Sequence, residues 1–205
     1  MRGQTEVVTV IMISGVVIAL VGAAYFWGVP IINKQTSASQ FQTATSFILD
    51  LRDRIIDTAN AAGGEGTLTP PFGALRLVPY AAGDPDSNLI LYEVILSQPL
   101  TLNATEVYLG DATFTDVVNE VGTFGEASPT IVTVRTDPFG TAFKATFTLK
   151  FRELEDFPNA YLVRLLAEAT EEQGTSKISW RFGQNVPQTV AGKTTTYSDV
   201  VVDII

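Results

Sequence analysis

The chain contains neither cysteine nor histidine. Without cysteine there is no disulfide and no thiolate nucleophile, and without histidine the Ser-His and Cys-His catalytic pairs are excluded. The same absences remove the ligands that zinc sites ordinarily use. We therefore predict that the chain is not an enzyme, that it holds no metal or cofactor, and that its stability comes from packing.

Charged residues are scarce, and most of them are acidic. They make up 17% of the chain, and 13 basic residues against 22 acidic ones leave a formal net charge of −9. Affinity for nucleic acid comes largely from Lys and Arg side chains that neutralise phosphates. This composition therefore argues against nucleic acid as a partner.

The most informative feature is a long apolar run near the N-terminus. Residues 7 to 32, VVTVIMISGVVIALVGAAYFWGVPII, include no charged side chain. A membrane-spanning helix needs about 20 such residues, whereas the apolar part of a cleaved secretory signal has about 7–15. Residues 21–24 would be the cleavage site of such a signal, but the apolar run continues beyond them. We favour a membrane anchor, with the N-terminus inside and the remaining chain outside the cell.

The apolar positions that follow this run recur in steps of three and four. They are Phe41, Ala44, Phe47, Ile48, Leu51, Ile55, Ile56 and Ala59. Such spacing places one apolar stripe on a helix. We predict one helix over residues 4–62, apolar all round in its first half and amphipathic in its second, with Gly63–Gly66 as a hinge that ends it.

From Thr67 onward the pattern changes to alternation with a period of two. Residues 143–152, FKATFTLKFR, alternate apolar and polar side chains, which predicts a half-buried strand. Further strands are predicted at 88–97, 106–109, 130–136, 160–169, 177–182 and 194–204, although 160–169 also suits a helix. We predict a hairpin turn at 171–175. About seven strands with turns between them indicate an α+β protein with an immunoglobulin-like β-sandwich head over residues 67–205.

The chain begins with a short segment ending in Arg2-Gly3, and Gln4-Thr5-Glu6 and the two-part helix follow it. These features give the N-terminal region a resemblance to archaeal type IV pilin-like proteins. It implies that residues 1–3 are a leader peptide, which a prepilin-type peptidase removes by cutting between Gly3 and Gln4. It also implies that the subunits leave the membrane through pilus assembly machinery and pack their helices into a filament core. Glu6, the third residue after the cut, would then assist assembly by pairing with the new amine of Gln4.

Other candidate sites carry less information. The segment 84–88, DPDSN, imitates the start of a calcium loop but lacks its glycine and its closing glutamate, so we predict a solvated turn. Glu153, Glu155 and Asp156 are predicted to form an acidic loop before Pro158 rather than a catalytic pair. Asn103 begins an N-glycosylation sequon, which has meaning when the head is extracellular.

These observations favour a structural subunit of an extracellular type IV pilus-like filament, used in surface adhesion and built mainly by contacts between copies of the chain. The alternative is a single-pass anchored protein whose β-sandwich head binds a partner, as an archaellum accessory or stator component would. A secreted enzyme is the third class, and no catalytic constellation supports it.

Overall fold

The protein is described by a computed structural model. It covers residues 2–99, 106–110, 121–167, 172–174 and 177–205, with side chains from residue 8 onward except in 172–174. One helix, α1 (Arg2–Asn60), precedes β1 (Glu65–Leu68), β2 (Ala74–Val78), β3 (Leu89–Leu96), β4 (Val107–Leu109), β5 (Val121–Thr123), β6 (Thr130–Phe139), β7 (Ala142–Phe151), β8 (Glu153–Asp156), β9 (Asn159–Ala167), β10 (Glu172–Gly174), β11 (Ile178–Val190) and β12 (Lys193–Ile204).

Helix α1 is continuous and ends close to the predicted residue. Its 59 residues correspond to a length of roughly 90 Å, and Pro30 lies inside it. The chain leaves the helix through Ala62 and Gly64, which both have positive φ. Glycine adopts that conformation without the steric cost that other residues bear. The predicted hinge is only partly correct, because Glu65 and Gly66 already belong to β1.

The strands form two six-stranded sheets that pack on each other as a β-sandwich. Sheet A has the order β1-β11-β12-β9-β8-β5, and sheet B has the order β10-β2-β3-β7-β6-β4. Sheet B is antiparallel in every recorded pairing, whereas sheet A includes the parallel pairs β12–β9 and β5–β8. The predicted α+β architecture, a long N-terminal helix followed by a β-sandwich, is confirmed.

Strand β7 shows why alternation identifies this sheet. Ala145, Phe147, Leu149 and Phe151 are buried, while the polar residues between them are only half-buried. The buried set faces the second sheet and the helix, as expected for a sheet with one solvated face. The ambiguous segment 160–169 is also a strand within its described part, β9.

Two local predictions are wrong. Residues 172–174 form β10, which pairs with β2 in sheet B, so they are not the turn of a hairpin between β9 and β11. Residues 153–156 form β8, which pairs with β9, so they are not a loop. Strand β10 is paired with β2, and β8 is also paired with β5, and both of these partners are distant in sequence, so local composition does not indicate the pairings.

Asn88 joins the two sheets. Its side-chain Nδ2 donates to the carbonyl oxygens of Phe151 in β7 (3.2 Å) and Val163 in β9 (2.8 Å), and its Oδ1 accepts from the backbone N–H of Leu165 at 2.8 Å. The residue is buried and has a φ of 62°, a value that asparagine tolerates better than most residues. These backbone groups are shielded from water and need a hydrogen-bond partner. The side-chain amide of Asn88 supplies the partner that a neighbouring strand would otherwise provide.

We expect Asn88→Ala to destabilise the head by about 2–4 kcal/mol, because it leaves buried backbone donors and acceptors without partners. Asn88→Asp should be at least as damaging, since a carboxylate cannot donate to the two carbonyls. Urea unfolding can be followed by the fluorescence of buried Trp180 in a Trp27→Phe background, where it is the remaining tryptophan. The control is Asn185→Ala at an exposed position, and equal stability of the two alanine variants would contradict the role of Asn88.

Candidate functional site: the exposed apolar helix and its attachment to the head

The first half of α1 exposes apolar side chains on all sides. Large exposed side chains run from Val8 to Ile32, with 51% of Val17 and 80% of Trp27 accessible. Among the described side chains of α1, none before Ser37 is buried. A helix that is apolar around its whole circumference has to be covered by lipid or by protein.

The dimensions of this segment fit a membrane. Residues 7–32 span about 39 Å as a helix, whereas the hydrocarbon core of a bilayer is about 30 Å thick. The helix meets the length and hydropathy expected of a membrane span, it lies near the N-terminus, and its apolar 18-residue window has no buried residue. This geometry fits a single-pass membrane anchor.

The second half of α1 is held inside the sandwich by one stripe of side chains. Buried or half-buried positions recur every three or four residues, at Ser37, Phe41, Ala44, Phe47, Ile48, Leu51, Ile55 and Ala59. The ring of Phe41 lies 5.4 Å from that of Phe147, and the ring of Phe47 lies 5.0 Å from that of Tyr92. The stripe predicted from the sequence is therefore the part of the helix that completes the core of the head.

Polar contacts secure both ends of the attached segment. At its beginning, Ser37 Oγ accepts from the backbone N–H of Gln98 at 3.1 Å. At its end, Trp180 Nε1 donates to Thr58 Oγ1 at 3.1 Å. Ser198 Oγ donates to the backbone carbonyl of Ala59, also at 3.1 Å. The helix is consequently fixed to the head from Ser37 to its last turn.

Burial also alters the pKa of tyrosines at this contact. Desolvation raises the pKa of Tyr92 to about 12, although its hydroxyl donates to the carbonyl of Phe72 at 2.6 Å. Desolvation also raises the pKa of Tyr161, whose hydroxyl donates to Asn60 Oδ1 at 3.3 Å. An ordinary tyrosine is already neutral near pH 7, so these shifts show that both hydroxyls are shielded from water and do not change their charge.

The residues predicted for processing and assembly are described only in part. Gly3, Gln4 and Glu6 lie in the first turns of α1, and their side chains are outside the described set. Asn103, the predicted glycosylation site, lies outside the described residues. The structure therefore places the proposed cleavage point on a helix and leaves the role of Glu6 and the modification of Asn103 as predictions.

The segment that imitates a calcium loop is a hydrogen-bonded turn. Asp84 Oδ1 accepts from the backbone N–H of Asp86 at 2.9 Å, and Ser87 Oγ donates to the carbonyl of Asp84 at 2.8 Å. In the described part of the chain, no group of three acidic residues is arranged to hold a metal ion. The predicted solvated turn is present at residues 84–86, which are exposed, but the prediction is wrong for Ser87 and Asn88, which are buried.

The acidic residues of β8 are ion-paired. Lys193 Nζ lies 2.5 Å from Glu153 Oε1 and also contacts Glu155. The hydrogen bonds that Lys193 donates to these two carboxylates raise its pKa. The cluster ties β8 to the β11–β12 hairpin, so these carboxylates serve the sheet and do not form an acid–base pair.

One polar cluster on the outer face of sheet A was not foreseen. Arg164 makes two hydrogen bonds to the buried carboxylate of Asp199, at 2.7 and 2.9 Å. Its guanidinium carbon lies 4.3 Å from the centre of the Tyr197 ring and 5.6 Å from that of Tyr80. These contacts fasten the loop after β2 to the sheet. Arg164 and Asp199 are 35 residues apart in sequence, so no local signal could have revealed this pair.

Comparison with models of known protein families gives no match. Searches of the curated proteins and of the solved structures give no significant match either.

We expect a fragment starting at Thr36 to be soluble and rich in β-structure, because it retains the attached half of α1 and lacks the exposed apolar half. In that fragment Leu51→Asp should cost more than about 4 kcal/mol, since it removes a fully buried side chain and buries a charge. The control is Ser46→Asp at an exposed position of the same helix. Urea unfolding measures both, and a fragment starting at Thr67 with undiminished stability would contradict the packing of the helix on the head.

Proposed function

We propose that this chain is a structural subunit of an extracellular type IV pilus-like filament, matured by a prepilin-type peptidase and used in surface adhesion. The observation that carries the proposal is the division of a single helix into two parts. The part from Ser37 onward belongs to the head, and the part before it is apolar on every side and free of the head. A filament core is a second apolar environment for the surface that first lies in lipid.

The exposed segment is suited to close packing between helices. Ser14 and Gly15 lie in its middle, and Gly22 and Ala23 follow two turns later. A Cβ added at Gly15 or Gly22 would meet no atom within 4 Å, so the space around these residues is open to a neighbouring helix. In lipid the hydrophobic effect does not drive helices together, so their association depends on close packing. Small residues permit that packing because they let the helix backbones approach each other.

The N-terminus fits removal of a short leader before assembly. Cutting between Gly3 and Gln4 would leave a new amine three residues from the apolar run, with Glu6 directly before that run. A carboxylate at the edge of an apolar core is costly unless it is paired. The amine of Gln4, on the same or a neighbouring subunit, is the nearest partner of opposite charge.

The continuous helix would also fix the position of each β-sandwich head relative to the filament core. No loop separates the exposed segment from the attached one, and hydrogen bonds hold the attached segment at both ends. Helices packed in a core would therefore carry their β-sandwiches outward in a regular array. Such an array presents the sheet faces and turns of the heads to other surfaces, which suits adhesion.

The exposed helix also supports a second candidate, a monomeric anchored protein whose head binds a partner. That protein would keep its leader and remain in the membrane. Mass spectrometry of the native N-terminus separates the two, since the filament subunit should begin at Gln4 and the simple anchor at Met1.

We expect Gly3→Phe to block removal of the leader and to abolish filaments, because a bulky ring replaces the glycine after which the cut is proposed. Immunoblotting and N-terminal mass spectrometry report processing, and electron microscopy of the cell surface reports filaments. Gly28→Ala, a change near the other end of the apolar segment, is the control and should be processed normally. Filaments of normal length from a verified uncleaved Gly3→Phe protein would refute the pilin proposal.

We expect Val17→Lys to separate membrane insertion from assembly. One Lys at the centre of a membrane helix costs about 2.5–3.5 kcal/mol, which this long apolar run can absorb. In a filament core every subunit would bring the same unpaired charge into a dry layer, so assembly should be lost. The expected result is a cleaved, membrane-resident subunit without filaments, whereas Gln42→Lys, on the exposed side of the attached segment, should insert and assemble. Unimpaired filaments of Val17→Lys would argue against a helical core.

A further inference from the structure

We propose that the hairpin between β6 and β7 docks on the lipid headgroup layer of the bilayer that α1 spans. The hairpin tip consists of Pro138, Phe139, Gly140 and Thr141, all of them exposed. The side chain of Phe139 is 58% accessible, so its ring is available for contact outside the head. The inference rests on the membrane-spanning precursor and does not depend on the filament.

The hairpin lies at the end of the head from which the free helix departs. Ser37, the first buried residue of α1 on that side, contacts Gln98, two residues beyond the end of β3. Leu96 of β3 is paired with Phe143 of β7, so the start of β7 lies beside the same point. Phe139 is paired with Ala142, which precedes Phe143, and the hairpin tip is therefore close to the exit of the helix.

The distance from this exit to the apolar segment is short. Ser37 follows Ile32 by five residues, which is about 7.5 Å along the helix. The headgroup layer on each side of a bilayer is roughly 5–8 Å thick. The apolar run, about 39 Å long, also exceeds the hydrocarbon thickness, and such a helix tilts or extends into the headgroups. Either adjustment keeps this end of the head next to the interface.

The chemistry of the tip suits an interface of lipid and water. The four tip residues carry no charge, and the nearest acidic side chain in β6, Asp137, is paired with Arg135 at 2.8 Å. Lys144 in β7 is paired with Glu93, also at 2.8 Å. On α1, Lys34 lies between the apolar run and Ser37, and its ammonium can reach lipid phosphates. The surface that faces the bilayer thus offers an aromatic ring and a cation, and the carboxylates of Glu93 and Asp137 in the strands beside it are both ion-paired.

A second cluster of exposed apolar side chains provides a contrast. Phe124, Phe157 and Val190 stand in or beside turns at one end of sheet A, and Phe157 is 84% accessible. Tyr161, four residues after Phe157, contacts Asn60 at the far end of α1. The helix between Ser37 and Asn60 is roughly 35 Å long, so this cluster is remote from the exit of the free helix. An exposed phenylalanine there should remain in water.

The absence of cysteine allows a direct test with single labels. The full-length chain is reconstituted in phosphatidylcholine vesicles containing a minor fraction of phosphatidylglycerol, with a polarity-sensitive fluorophore on Thr141→Cys. This position leaves Phe139 in place. Phe157→Cys with the same label is the matched control. We expect a blue-shifted emission and quenching by headgroup-spin-labelled lipid for position 141, and a water-like emission with quenching by iodide for position 157.

Adding Phe139→Ser to the Thr141→Cys protein should shift the emission back toward that of the control, because the ring that holds the hairpin at the interface is lost. Persistence of the blue shift would overturn the role of Phe139. Equal emission and equal iodide quenching at positions 141 and 157 would overturn the docking itself. Neither result bears on the filament, which is tested by leader removal and by Val17→Lys.

Discussion

The structure depends on the burial of one helical stripe inside a β-sandwich. The side chains from Ser37 to Ala59 that recur every three or four residues fill the space between strands of both sheets, and several of them are completely buried. Each large apolar side chain buried in this way contributes about 1.5–3 kcal/mol. Because the same helix continues without a break into the exposed segment, the stripe also fixes the direction in which that segment leaves the head.

The two halves of this helix lie in different surroundings. The attached half satisfies its apolar side chains inside the head, where polar contacts at Ser37, Thr58 and Ala59 secure both ends of the segment. The free half has no such partner within the described chain, so its surroundings must come from lipid or from other molecules. The proposed passage from membrane to filament and the proposed docking of the hairpin are both consequences of this division.

The head is held together by a small number of polar groups in addition to its core. Asn88 supplies hydrogen bonds to strands of both sheets, and the Arg164–Asp199 pair fastens a loop to the outer face of sheet A. Lys193 links the carboxylates of β8 to the β11–β12 hairpin. Buried polar groups of this kind are stable because their partners are satisfied, and losing one partner is costly.

The sequence by itself determined the features that local periodicity encodes. Three features can be read from neighbouring residues alone: the uncharged run of residues 7–32, the helical stripe through Leu51 and the alternation of β7. Each depends on a pattern that is complete within a few residues, so its conformation could be predicted from the sequence. Tertiary structure decided the features that depend on distant partners. The parallel pairings of β12 with β9 and of β5 with β8, the pairing of residues 172–174 with β2, and the role of Asn88 arise from backbone groups that are far apart in sequence and meet only after folding. The pairing of Leu96 with Phe143 likewise places the hairpin beside the helix exit. The local sequence does not show which strands will pair, so this position could not be predicted from it.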